Sequence, residues 1–118
     1  MIWRVRDRRT FDALRRYGRR SRSGPVRVTH LPAKTPGERH QPPRVAFAVS
    51  RRVGSAVVRN RIRRRLRGVL VELARDVDSP LGPGVYLIGV DPDAVALSHE
   101  ELRSNVTAAL ERVGKGRG

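Results

Sequence analysis

Residues 44–67 read RVAFAVSRRVGSAVVRNRIRRRLR, and two periodicities meet inside them. Over residues 44–50 large and small side chains alternate, so a strand would send Val45, Phe47 and Val49 to one face and Ala46, Ala48 and Ser50 to the other. From Gly54 the period changes. Ser55 stands where a helix N-cap belongs, and at about 100° per residue Val58, Ile62, Leu66, Val69, Leu70, Leu73 and Val77 fall on one stripe roughly 120° wide. A half-bulky, half-shallow strand followed by a long amphipathic helix over residues 54–77 indicates an α+β fold, in which helices cover the bulky face of a small sheet. The shallow face either admits a closely packed helix or floors a groove for a ligand.

The flanking sequence fits this frame. Residues 7–17, DRRTFDALRRY, place Phe11, Leu14 and Tyr17 at near-helical spacing, with Gly18 positioned as the left-handed residue that ends many helices. Residues 26–31, VRVTHL, alternate as a strand does; residues 32–43 hold four prolines and are expected to form a mobile loop. A turn at 79–84 leads into VYLIGV, residues 85–90, which reads as a buried strand. After the Asp91-Pro92-Asp93 turn, Ser98 and Glu101 form a capping box for a helix carrying Leu102, Val106, Ala109, Leu110 and Val113. The order is αββαβα in one domain over residues 1–118, without internal repeat or linker.

The formal net charge is +15, and it is unevenly spread. Residues 1–67 carry 21 of the 26 basic side chains against only Asp7, Asp12 and Glu38. Such a field calls for a polyanion, either nucleic acid or an anionic membrane. Only Lys34 and Lys115 are lysines, and the planar guanidinium of the other 24 suits phosphate and base stacking. There is no cysteine, hence no disulfide and no thiolate metal site, which fits a reducing cytoplasm. No signal-peptide-like start and no run of 18 apolar residues occurs, so no membrane association is expected.

The basic density peaks at residues 59–67. On the helical wheel Asn60, Arg63, Arg64 and Arg67 lie together opposite the apolar stripe, while Arg59 and Arg65 flank it. Arg59/Arg63, Arg61/Arg65 and Arg63/Arg67 are like-charge pairs four residues apart, each unfavourable by roughly 0.2–0.5 kcal/mol in isolation. No acidic residue offsets them before Glu72. A face shaped only for solubility would interleave glutamate, so the compensating anions are expected from a partner. A membrane-surface helix would need large aromatic anchors on its other side, and here that side is aliphatic and required for the core.

Residues 51–67, RRVGSAVVRNRIRRRLR, with the lead-in Val49-Ser50, closely resemble the signature of the bacterial ribonuclease P protein family. In that family a strand ending in Val-Ser and two basic residues passes through Val/Ile-Gly-x-Ala-Val-x into an Arg-Asn-Arg helix. The match covers residues 44–67 strongly, and more loosely the spacing from Phe11 to Gly18. The resemblance implies an αβββαβα order with a left-handed βαβ crossover, and therefore one strand beyond those read above, near residues 80–84 or within a longer hairpin. It also implies a function: assisting a catalytic RNA that removes the 5′ leader of precursor tRNA, with Mg²⁺ held mainly by RNA and substrate and no other protein required. Carried over by position, Arg51, Arg52, Arg59, Asn60, Arg61, Arg63, Arg64 and Arg67 would contact RNA; Phe11, Arg15, Ala46, Ala48 and Ser50 would form the leader cleft. The chain departs from the family pattern at Arg15 and near Thr29, where aromatics are common, and at Arg65, where an apolar residue is usual. Gly68 weakens the helix by up to about 1 kcal/mol relative to alanine.

Other readings are weaker. His30, His40 and His99 have no metal-ligand spacing and are read as surface histidines. Asp91 and Asp93 suit a turn, and Glu100 and Glu101 a helix start. No nucleophile–base arrangement stands out, so no catalytic residue is assigned to the polypeptide, and an independent endonuclease finds no support. A ribosomal protein or RNA chaperone would show the same basic helix without a role in cleavage.

Overall fold

The computed structural model describes residues 2–115. A five-stranded mixed sheet runs in the order β1-β4-β5-β3-β2. Its strands are β1 (Trp3–Arg4), β2 (Arg19–Ser23), β3 (Val26–Pro32), β4 (Arg44–Ala48) and β5 (Gly84–Val90); the helices are α1 (Arg8–Tyr17), the single-turn α2 (Pro36–Arg39), α3 (Ala56–Arg75) and α4 (His99–Lys115). Strands β4 and β5 are parallel neighbours joined through α3, whereas β3 pairs antiparallel with both β5 and β2.

The bulky face of β4 is the covered one. Val45 and Val49 are buried, with Phe47 packed beside them, in a core completed by Ile62, Leu66, Val69, Leu70 and Leu73 of α3 and Leu102, Val106, Ala109, Leu110 and Val113 of α4. Val77 is an exception: α3 stops at Arg75, and Val77 is 96% exposed. Ser55 does cap α3, its hydroxyl accepting from the Val58 N–H at 3.3 Å. Arg65 bridges α3 to the following segment by donating to the carbonyls of Val95 (3.3 Å) and Leu97. Its position on the flank of the apolar stripe is thereby explained: it satisfies carbonyls at the end of the 3₁₀ turn Pro92–Ala96.

Helix α1 departs from the expectation that all helices share one face. Leu14 and Phe11 pack with Val5, Ala46, Leu31, Val85 and Leu87 on the opposite side of the sheet. That helix covers only one end of the face. Strand register sets two rows on this face, Ala46–Leu87–Thr29–Arg20 and Ala48–Gly89–Arg27–Arg22; α1 packs on Ala46 and Leu87 at the end of the first, and the rest stays open.

The additional strand is Arg19–Ser23, within a hairpin with β3, and the 80–84 segment supplies only the first residue of β5. RRSRS does alternate, but in polar residues. Arg20 and Arg22 point to the open face, while Ser21 Oγ donates to the Ala109 carbonyl at 2.6 Å and Ser23 Oγ meets Asn105 Oδ1 at 2.9 Å, fixing the strand to α4. Two smaller expectations also change. The proline-rich segment contains α2, capped reciprocally by Thr35 and Glu38. His30 is buried, its ring stacked on Tyr86 at 4.3 Å, whereas His40 and His99 are exposed.

Gly18 does not take the left-handed conformation; its φ and ψ are −69° and 145°. Glycine is required there by proximity, since a Cβ would lie 2.4 Å from the Leu14 carbonyl oxygen and 2.6 Å from Thr29 Cγ2. At Gly68 a Cβ would meet nothing within 4 Å. We therefore expect opposite signs: Gly68→Ala should raise stability by about 0.5–1 kcal/mol, and Gly18→Ala should lower it by about 1–3 kcal/mol. Urea unfolding midpoints of the two variants against the parent chain check both.

Candidate nucleic-acid interface

The outer face of α3 carries its arginines with few internal partners. Arg63 donates to Asn60 Oδ1 at 3.0 Å. Asn60, Arg61, Arg64 and Arg67 are exposed; Arg59 and Arg63 are half-buried, and Arg59 Nε lies below the surface without a hydrogen-bond partner. The ion pairs found among the described residues are Arg22–Asp91, Arg27–Asp91, His99–Glu72 and Arg103–Glu72, so no acid meets Arg59, Arg61, Arg63, Arg64 or Arg67. The charge left over by the sequence count is left over in three dimensions as well.

One groove adjoins that face, and a second lies on the other side of the sheet. The first, of about 820 Å³, runs along the edge of β4 and is bounded by Phe11 and Ala46 on one side and Asn60, Arg63, Arg64 and Arg67 on the other. The aromatic of α1 and the arginines of α3, which the sequence assigned to two separate surfaces, thus border one concavity. This follows from β1 pairing with only Arg44 and Val45, which leaves the edge of β4 free from Ala46 onward. A second groove, of about 490 Å³, occupies the uncovered sheet face and is lined by Arg20, Arg22, Arg27, Thr29, Ala48 and Gly89, among others. Small residues at Ala48 and Gly89 make it deep, and Thr29 occupies its floor where the family commonly has an aromatic.

The remaining sequence-assigned residues lie outside both grooves. Arg15 is exposed on α1, where its carbonyl accepts from Arg20 at 3.2 Å. Ser50 precedes a 3₁₀ turn, Arg51–Val53, without a side-chain capping bond, and Arg51 and Arg52 are exposed on that turn.

Sequence reasoning missed Asp91. It was read as a turn former, yet its side chain caps nothing. One oxygen accepts from Arg22 at 2.5 Å and the other faces Arg27 Nε at 3.5 Å, while Arg27 also donates to the Val90 carbonyl at 3.3 Å. One carboxylate therefore orients two guanidinium groups at the end of the second groove. The hydrogen bond from Arg22, followed by the Arg22 and Arg27 charges, holds the Asp91 carboxyl below its ordinary range. No local spacing signals this arrangement, because the partners are brought together by the register of β2, β3 and β5.

A sequence model of the Ribonuclease P family matches residues 2–114. The chain belongs to that family. The ribonuclease P protein component of Thermobifida fusca is 37% identical, covering 98% of this chain and 78% of its own length; that of Nocardioides sp. is 42% identical, covering 94% and 91%. The fold is likewise that of solved ribonuclease P proteins. The Thermotoga maritima protein superimposes with a TM-score of 0.76 at 18% identity, covering 92% of this chain and 96% of its own. The Staphylococcus aureus protein gives 0.75 at 18% identity, with 93% and 94% coverage. These findings make the chain the protein subunit of ribonuclease P, a ribonucleoprotein endoribonuclease in tRNA processing, associated with the ribonuclease P RNA; they favour that reading over a ribosomal protein or RNA chaperone.

In this ribonuclease P protein no group of three or more His, Cys, Asp or Glu side chains comes together to hold a metal among the described residues. Asp91 and Glu72 are engaged by cations, and Asp7, Glu38 and Glu101 by helix starts. The side chains of the described residues thus do not fit Mg²⁺. Nor is any helix of the described residues long and apolar enough to cross a membrane.

The depressed carboxyl of Asp91 has a defined pH signature. Because its folded value lies below the ordinary 3.8, its stabilising contribution is present above that range and is lost as pH falls through the folded value. Asp91→Asn should therefore be less stable than the parent at pH 7, and the difference should close progressively below about pH 4. Paired urea titrations at pH 7 and pH 3 would refute the clamp if the gap persisted unchanged.

Proposed function

We propose that the arginine face of α3 seats the catalytic ribonuclease P RNA, while the two grooves receive the single-stranded 5′ leader of precursor tRNA. The observation that carries this reading is the set of α3 arginines with no acidic partner, on a helix whose opposite side is fully committed to the core. Guanidinium groups that the protein leaves uncompensated bind phosphate while displacing only water and counterions.

The groove along β4 supports a leader path. It offers a partly exposed aromatic, Phe11, opposite a wall of arginines, in a volume of about 820 Å³ that does not enclose a folded duplex. An unpaired strand can stack a base on the ring while its phosphates meet the arginines. The second groove offers Arg20, Arg22 and Arg27 and has Thr29 near the position where the family resemblance leads one to expect an aromatic, so leader recognition there relies on guanidinium stacking and phosphate contact. Ala46 and Ala48 provide the clearance. Arg15, Arg51 and Arg52 lie at the margins and extend the basic field instead of lining the path, with Ser50 beside them.

In this reading the RNA and its Mg²⁺ perform phosphodiester hydrolysis, and the protein acts by binding and orienting. It works in the cytoplasm, with no second protein needed for leader removal.

The decisive experiment is leader cleavage of a precursor tRNA at low Mg²⁺ by a bacterial-type ribonuclease P RNA, with and without the protein, beside a protein-only control. Stimulation that depends on the RNA is expected. Tight RNA binding without stimulation would move the function to a structural RNA-binding role. Replacing Arg63, Arg64 and Arg67 together by alanine should weaken holoenzyme assembly and reduce the slope of log K against log[salt] by about 2–3. An unchanged slope would remove α3 as the RNA seat.

A further inference from the structure

Trp3 is the chain's single tryptophan, and it remains 43% exposed. Its backbone is firmly held: the Trp3 N–H donates to the Pro43 carbonyl at 2.8 Å, and that of Val5 to the Val45 carbonyl at 3.1 Å. The flanking apolar residues are inserted into the protein on either side, Ile2 against the large core and Val5 within the smaller one. The indole is therefore presented outward by an anchored strand. Among the described residues it stacks on no ring and no guanidinium.

Its surroundings specify the chemistry of a partner. A groove of about 510 Å³ beside the indole is lined by Ile2, Trp3, Arg4, Arg6 and Arg67. Arg4 and Arg67 also line the groove along β4, so the two concavities are neighbours. A large aromatic face set among guanidinium groups matches an unpaired nucleotide: the ring takes the base and the cations take the flanking phosphates. A membrane surface would call for further large apolar side chains around the indole, whereas its exposed neighbours are Arg4 and Arg67.

We propose that Trp3 stacks on an unpaired base of the ribonuclease P RNA, with Arg4, Arg6 and Arg67 on the adjoining phosphates. The proposal rests on α3 as the RNA seat, and it extends that seat past Arg67 onto β1. The RNA subunit is assigned in preference to the leader because this groove contains neither Phe11 nor any residue of the open sheet face, and because Ile2, Trp3 and Arg6, which line it, do not line the groove along β4.

The single tryptophan is its own reporter. Titrating the full chain with ribonuclease P RNA should quench Trp3 emission, saturating at the stoichiometry that filter retention gives independently. Trp3→Ala should weaken RNA binding roughly 5- to 100-fold at matched salt, and Trp3→Phe should lose less. Retention of RNA without any change in emission overturns the stacking, as does quenching by a leader oligonucleotide but not by the RNA subunit. Should the alanine variant fail to fold, the emission of the parent chain and the affinity of the phenylalanine variant still decide. Failure of the parent chain to retain RNA at all overturns the α3 seat and Trp3 together, and is distinguished from the other outcomes by the filter assay alone.

Discussion

Burial of one side of α3 is the interaction on which the rest depends. Ile62, Leu66, Val69, Leu70 and Leu73 are all buried against the sheet and α4. At roughly 1.5–3 kcal/mol for each such side chain, the stripe contributes on the order of 8–15 kcal/mol before chain entropy is counted. The three like-charge pairs on the other side oppose it by about 0.6–1.5 kcal/mol in total. The core wins by a wide margin, so the helix can hold its arginines in a fixed array without help from acidic neighbours. A helix with a weaker apolar stripe would have needed interleaved glutamates, and those would have neutralised the surface.

The same helix determines which parts of the sheet stay open. As the connection between parallel neighbours β4 and β5, α3 must sit on one sheet face and pass beside the edge strand. With α4 alongside it, that face is filled. Helix α1 occupies only one end of the other face, and β1 covers only the first two residues of the β4 edge. The open edge and the open half-face are thus consequences of topology. Their depth is a matter of sequence: Ala46, Ala48 and Gly89 withhold side chains where larger ones would fill the space. At Gly89 an added Cβ would approach Arg27 Nη2 to 3.2 Å and displace the guanidinium that Asp91 orients.

Features carried by apolar periodicity were legible before the structure: the β4 alternation, the α3 stripe, the β5 run and the capped α4. Features carried by polar pairing were not. Strand β2 alternates arginine with serine, and its stabilising contacts, Ser21 to Ala109 and Ser23 to Asn105, lie more than eighty residues away in sequence. Strand β1 is two residues long, too short to show any period. The placement of α1 on the opposite face could not be read from its own amphipathicity, which specifies a buried side but not what buries it. His30 is read as a surface residue for its residue type and its lack of metal-ligand spacing, yet it shares the parity of Val26 and Val28, and register sets it against Tyr86 on the covered face. At the interface, the arginine face of α3 was visible on a helical wheel, whereas the Asp91 clamp and the joining of Phe11 to that face required the sheet.

The distribution of acids completes the argument. Asp7 accepts from the Thr10 hydroxyl and the Thr10 N–H, Glu38 from the N–H groups of Lys34 and Thr35, and Glu101 from the Ser98 N–H, all at helix starts, and these bonds hold their carboxyls below the ordinary range. Glu72 joins α3 to His99 and Arg103 of α4, and Asp91 joins β2 and β3. Every one of these carboxylates is engaged in holding the scaffold, and each sits away from residues 59–67. A chain with net charge +15 needs some anions to close its helices and lock its sheet, and this one places them where they do not screen the arginines of residues 59–67. Stability and binding are thereby separated along the sequence: carboxylates in caps and clamps secure the fold, while the array on α3 retains its full charge until a polyanion arrives to meet it. That arrival also stabilises the folded chain, because RNA binding to the native array lowers the free energy of the native state alone.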